Sequence, residues 1–266
     1  MRQVSAGYPL DKRIFPWNHA NCGDLNLSGE RRPQSYLRET LWSDAPVSHI
    51  VVTPPVPSFP LNPDKADWSV WDFPDVVDHW NFPGYEGKKM TVSVYSNCEQ
   101  VELFLNGESL GKQENTADKK NTLVWEVPYA HGILKAVSYN KGGEVGTATL
   151  ESAGKVEKIR LSADRTEIVA DGNDLSYITL ELVDSKGIRN QLAEELVEFS
   201  IEGDATIEGV GNANPMSIES FVANSRKTWR GSNLLVVRSG KSSGRIIVTA
   251  KVKALPVASI TITQKK

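Results

Sequence analysis

Apolar and polar positions alternate with a period of two along most of the chain, in short runs separated by turn residues. The runs MTVSVYS (90–96), VELFL (101–105), TLVWEV (122–127), LKAVSYN (134–140) and VGTATL (145–150) are each bounded by Gly, Asn or Lys-Gly. Period two places alternate side chains on opposite faces, so each run predicts a strand with one face in a core. Asn106-Gly107 lies between VELFL and ESLGK. A two-residue type I′ turn needs positive φ at both centres, and Asn-Gly is its preferred filling, so a hairpin is predicted with strands at about 101–105 and 108–112. After Ala153-Gly154 the pattern restarts with KIRLSA, EIVAD, YITLELVD, VEFSIEG, NLLVVRSG, RIIVTAKV and ASITITQ. Seven strands at this spacing predict an immunoglobulin-like sandwich, with Ile178, Leu180 and Leu182, and again Val197, Phe199 and Ile201, on one face. The Cys-Trp-Cys core of antibody domains is missing from it. The expected fold is mainly all-β, with two tandem β-sandwich, immunoglobulin-like domains.

The first 46 residues break this rhythm. They are polar and turn-rich until PQSYLRETLW (33–42), which reads as one short helix. Proline suits a first helical turn, because the N–H it lacks would be unpaired there, and Tyr36, Leu37, Thr40 and Leu41 fall on one face. Between Val47 and Pro63 the chain carries five prolines in seventeen residues, which predicts a linker or an edge strand followed by one. The expected division is 1–46, 47–153 and 154–266.

At 266 residues and 39% hydrophobic, the chain has apolar material for two cores. A net charge of −3 gives no electrostatic reason to bind nucleic acid. No apolar run approaches the roughly 18–20 residues of a membrane-spanning helix, and MRQVSAGYPLDKR lacks the apolar stretch of a secretory signal. Cys22 and Cys98, the two cysteines, lie in differently composed segments and are expected to be free thiols.

Candidate chemistry is sparse. Glycosidic and acid-proteolytic reactions need two carboxylates held close together. The acids here fall in predicted turns, such as Asp171 and Asp174, or on solvent faces of strands, such as Glu181 and Glu198. His19, His49, His79 and His131 show neither metal-ligand spacing nor a nucleophile context, so no metal site, cofactor site or catalytic triad is expected. GVGNAN (209–214) imitates the start of a dinucleotide fingerprint, but Asn214 occupies the sixth position and no helical pattern follows, so it reads as a turn. Tryptophans carry more interest, because sugar rings stack their C–H faces on indole. Trp17, Trp68, Trp71 and Trp80 lie in loop-like, proline-rich surroundings, where they are either candidate sugar contacts or, for the last three, a hydrophobic lid on the second domain. Trp125, inside an alternating strand, is expected in the core.

The run FPWNHANCGDLNLSGERRPQSYLRETLW (15–42) resembles the end of the catalytic barrel in glycoside hydrolase family 2, especially β-galactosidases. The residues that carry the resemblance are Gly23-Asp24-Leu25, Gly29, Pro33-Gln34-Ser35-Tyr36, Arg38 and Trp42. Leu37, Glu39 and Arg32 depart from its aromatic, aspartate and lysine. HWNFPGYEGKKMTVSVYSNCEQVELFLNGESLGK (79–112) is similar to the sandwich that follows the barrel in these enzymes, and SADRTEIVADGNDLSYITLELVD (162–184) with GVGNANP is similar to a further immunoglobulin-like domain.

The resemblance implies retaining glycosidases that use the glutamate of an Asn-Glu pair as acid/base and a second barrel glutamate as nucleophile. This chain has no Asn-Glu dipeptide, and its Thr166-Glu167 falls in the immunoglobulin-like region, so no catalytic residue carries over. A complete barrel occupies on the order of 250 residues, so residues 1–46 are expected to be a short remnant of a (β/α)8 barrel, Met1 an internal or artificial start, and the chain a fragment. Trp17 and Asn18 would then lie near the barrel's last βα connection, either at the rim of the sugar pocket or, for Trp17, packing the barrel end. Three functional readings follow. The chain is the non-catalytic C-terminal accessory region of a retaining β-galactosidase-like hydrolase, with carbohydrate and the upstream barrel as partners; or a carbohydrate-binding module acting through exposed tryptophans; or a structural spacer or oligomer contact. The resemblance points to the periplasm or cell surface of a polysaccharide-degrading bacterium.

Overall fold

The computed structural model describes residues 16, 23–58 and 74–266. The chain divides into two compact units, Met1–Ser152 and Ala153–Lys266.

In the first unit one helix, α1 (Ser35–Trp42), precedes seven strands: β1 (Ser48–Val52), β2 (Lys89–Ser96), β3 (Gln100–Leu105), β4 (Glu108–Glu114), β5 (Thr122–Pro128), β6 (Ile133–Asn140) and β7 (Gly143–Glu151). They form a three-stranded sheet in the order β1-β2-β5 and a four-stranded sheet in the order β4-β3-β6-β7, antiparallel throughout. Ile50, Val92, Val94, Leu123 and Trp125 from the first sheet meet Val101, Leu103, Leu134 and Ala136 from the second in one core. The proline-rich stretch after Val47 therefore begins as an edge strand, held to β2 from Ser48↔Ser96 to Val52↔Val92. The predicted hairpin is present, with Asn106 at φ 52° and Gly107 at φ 87°.

Alternation also explains where the helix sits. Val51 and Tyr95 point away from the sandwich core and, with Val76, form a second small cluster against which Tyr36 and Leu37 of α1 pack. The helix thus covers the outer face of the β1-β2-β5 sheet. Pro33 lies in the turn just before α1 and contributes its carbonyl to Tyr36 N–H at 3.2 Å. Leu41, expected on the packed face, is exposed, while Thr40 beside it is buried, its hydroxyl donating to Leu37 O at 2.7 Å and accepting from Asn121 Nδ2 at 3.1 Å.

The second unit carries nine strands: β8 (Lys158–Ala163), β9 (Glu167–Val169), β10 (Leu175–Val183), β11 (Leu196–Glu202), β12 (Ala205–Gly211), β13 (Ser225–Lys227), β14 (Ser232–Ser239), β15 (Gly244–Val252) and β16 (Ala258–Lys265). Two sheets, β12-β14-β10-β8 and β13-β11-β15-β16-β9, enclose a core of Ile178, Leu180, Leu182, Leu235 and Val237 against Val197, Phe199, Ile246, Val248 and Ile262. The seven predicted strands are all there. The other two correct the sequence reading, because Gly209–Gly211 of GVGNAN is not a turn but the end of β12. A register shift between Ile207 and Gly209 lets the glycines pair with Val236 to Leu234.

Candidate functional site

The segment with the family-like motif is held together by its own side chains. Gly23 at φ 90° and Gly29 at φ 79° permit the turns that bring Asp24 O to Arg32 N at 2.8 Å. Within the loop Asn26 Oδ1 accepts from Ser28 N at 2.9 Å and Glu30 N at 3.0 Å. Arg38, on α1, clips this loop to the helix through Asp24 at 2.7 Å.

A second group ties the helix to the sheet. Arg31 Nη1 donates to Glu39 Oε2 at 2.6 Å, and His49 Nε2 lies 3.0 Å from the same oxygen. The Tyr36 ring stacks on His49, with the Arg31 guanidinium 4.6 Å from the Tyr36 ring centre. Burial, and then the charge of Asp78, raises the Tyr36 pKa. His49 is held below its ordinary value by burial, against the pull of Glu39. The hydrogen bond from Arg31 holds Glu39 low. Here a carboxylate, an imidazole and a phenol meet, but the phenol is driven away from ionisation and the carboxylate is already paired. The cluster fastens α1 to β1 and supplies no activated nucleophile.

Of the five candidate sugar-contacting residues, Trp17, Asn18, Trp68 and Trp71 lie outside the described residues. Trp80 is not available to a sugar. It is fully buried, edge-on to Phe82 and Tyr129 at centroid distances of 5.9 and 4.9 Å, with Nε1 donating to Ala130 O at 2.8 Å. An indole whose faces are packed and whose N–H is satisfied is a core residue. Trp125 is also in the core.

The carboxylates behave as turn residues. Asp171 Oδ1 accepts from Asn173 N and Asp174 N at 2.7 and 2.8 Å, while Asp174 pairs with Arg165 at 2.8 Å and accepts from Val169 N at 2.8 Å. These bonds hold both acids below the usual carboxylate range. Among the described residues no three His, Cys, Asp or Glu side chains converge as a metal-ligand set. Cys98 is a buried free thiol, and Cys22 lies outside the described residues. No helix among the described residues is long and apolar enough to cross a membrane.

What the first segment does present is apolar surface. Leu25, Leu27, Leu41 and Trp42 are all exposed, Trp42 at 79%. Tyr36 and Leu37 pack on the sheet, so α1 has one face seated and another bare.

Residues 159–261 match the family model described as glycoside hydrolase family 2 C-terminal domain 5, and residues 87–146 match a domain of unknown function, DUF4982. Across 98% of its length the chain is 99% identical to part of a solved glycosyl hydrolase family 2 member from Bacteroides cellulosilyticus, with a TM-score of 0.96. The chain belongs to glycoside hydrolase family 2. It carries the C-terminal region of such a protein, spanning 34% of the solved Bacteroides cellulosilyticus chain. A beta-galactosidase from Bacteroides ovatus is 30% identical over 95% of this chain, which spans 26% of that relative. A beta-glycosidase from Bacteroides vulgatus is 26% identical with a TM-score of 0.76, over 92% of this chain and 28% of that one. As a family 2 C-terminal region, the chain spans about a quarter to a third of the length of these relatives.

Proposed function

We propose that this chain is the non-catalytic accessory region of a retaining, β-galactosidase-like glycoside hydrolase, and that α1 is the joint through which it supports the catalytic domain. The observation that carries this reading is the two-sided helix. One face of α1 packs on Val51, Val76 and Tyr95, and beside it Leu41 and Trp42, with Leu25 and Leu27 of the preceding loop, face solvent. Four large apolar side chains left exposed on one short segment support an interaction site there, and the longer relatives have a preceding part to cover it. The two glutamates that break the glycosidic bond belong to that preceding part, and carbohydrate is the partner of the whole protein rather than of this region.

The test compares one substitution in two settings. Trp42→Ala in the 266-residue chain removes an exposed side chain and leaves the melting temperature unchanged. In a longer protein such as the Bacteroides cellulosilyticus hydrolase, the equivalent change removes a buried anchor, at a cost of about 3 kcal/mol or more. Equal effects in the two settings would sink the reading.

A further inference from the structure

In the second unit a buried cation organises a loop. Arg226, in β13, has no exposed surface. Its Nη1 donates to the carbonyls of Val210 and Glu219, both at 3.2 Å, and its Nη2 donates to Ser217 Oγ at 3.1 Å. The guanidinium carbon lies 4.2 Å from the centre of the Phe221 ring. Burying a charge is costly unless it is hydrogen-bonded; the bonds to Glu219 and Ser217 go to the β12–β13 connection, residues 212–224, and the bond to Val210 goes to β12. Further ties stiffen it. Val210 N donates to Phe221 O at 2.8 Å, Lys227 N donates to Glu219 Oε1 at 3.0 Å, and Asn212 Nδ2 donates to Lys227 O at 2.9 Å.

The stiffened loop displays apolar side chains. Ile218 is 77% exposed, Val222 84% and Phe221 49%. Of the polar residues between Ile218 and Phe221 in sequence, Glu219 is turned toward Lys227 N and Ser217 Oγ, and Ser220 accepts from Val222 N through its hydroxyl. Connections of this length without secondary structure are usually either functional or linkers, and the bonds just given tie this one down.

We infer that this loop is a docking surface for an apolar surface on the part of the same polypeptide that precedes this chain. The inference rests on the reading above that the polypeptide is longer. Two facts choose this occupant over a second copy. The chain spans only 34% of its 99% identical relative, so about two thirds of that polypeptide lies outside the matched segment. Three side chains offer on the order of 300 Å², far short of the roughly 800 Å² per partner that a stable dimer buries. A tethered partner, at an effective concentration in the millimolar range, needs no such area.

The test is alkylation of Val222→Cys by N-ethylmaleimide, followed by peptide mass spectrometry, in the 266-residue chain and in the Bacteroides cellulosilyticus hydrolase carrying the same change. Lys253→Cys, at another exposed position, serves as the reference. The docking surface predicts at least tenfold slower labelling at 222 in the longer protein, independent of protein concentration, with 253 equal in both. Equal labelling at 222 overturns it, as does protection that grows with concentration, the mark of a second copy. Glycoside hydrolysis by the longer protein is measured alongside. Activity with unprotected Val222→Cys removes the docking surface alone, whereas a longer protein without hydrolytic activity removes the functional reading.

Discussion

Tyr36 and His49 stack with their ring centroids 4.1 Å apart and their planes 11° from parallel. This contact joins the only α-helix among the described residues to the edge strand of the first sheet, and it places a titratable ring under the joint. His49 is held below its ordinary value of 6.5, chiefly by burial. The unfolded chain therefore takes up the proton first, and stability is full above pH 6.5 and declines as pH falls from there through the folded value. Glu39, held low first by its bond from Arg31, adds a loss only below its ordinary 4.5. Asp78, Arg31 and Tyr95 are the other ionisable groups around the joint. His49→Gln keeps a donor for Glu39 and does not titrate. Melting temperatures at about pH 7.5 and about pH 5.5 should fall further apart for the native chain than for His49→Gln. An equal drop in both would show that acid acts elsewhere.

Tyr95 pairs with His49 across β1 and β2 and is buried, which pushes its pKa up to about 12. A raised folded pKa gives stability that is full below pH 10 and is lost as pH rises toward 12. Tyr95→Phe should remove that alkaline loss. Urea midpoints at about pH 8 and about pH 11 measure it, and an unchanged alkaline slope in the variant would contradict the assignment.

Trp80 closes the core of the first unit, so Trp80→Ala should cost about 3–5 kcal/mol in denaturant unfolding. Trp80→Phe should cost less, because it keeps most of the packing and gives up the Nε1 bond to Ala130 O. A Trp80→Ala chain of native stability would show that the indole is not a core residue.

Two glycines at positive φ separate a backbone cost from a steric one. Around Gly107, at φ +87°, a Cβ would meet nothing within 4 Å, so Gly107→Ala costs about 1–2 kcal/mol from conformation alone. At Gly231, at φ +69°, a Cβ would lie 2.3 Å from Asn190 O, a backbone atom. Gly231→Ala should therefore be clearly the more damaging of the two by urea unfolding, and equal costs would refute the steric argument.

What could be read in the sequence was whatever a local rule decides. Period two located the long strands, and Asn106-Gly107 fixed a hairpin because only a few residues tolerate its dihedrals. Local rules fail where tertiary context decides. β12 went unseen because Gly209 and Gly211 read as turn residues, whereas their strand conformation depends on pairing with Val236 to Leu234. β13 carries Ser225, Arg226 and Lys227, a polar triplet that no pattern marks as a strand, and the burial of Arg226 depends on the preceding connection folding back so that Glu219 O and Ser217 Oγ accept from its guanidinium. At α1 the periodicity chose Leu41 as packed, but the sheet takes Tyr36 and Leu37 and leaves Leu41 bare. The candidate site was legible as a motif rather than as chemistry. Asp24, Tyr36 and Arg38 can be found by resemblance, but only the structure shows that Arg38 holds Asp24 and that Tyr36 stacks on His49 to fasten α1.

The measurement that tests the account most directly is hydrolysis of an aryl β-galactoside by the purified 266-residue chain, beside a longer family 2 protein that contains the same segment. The longer protein is expected to turn the substrate over, and the chain alone to show no hydrolysis above the uncatalysed rate. Turnover by the 266-residue chain that survives repurification would contradict this, because the carboxylates doing the work would then have to lie within this region.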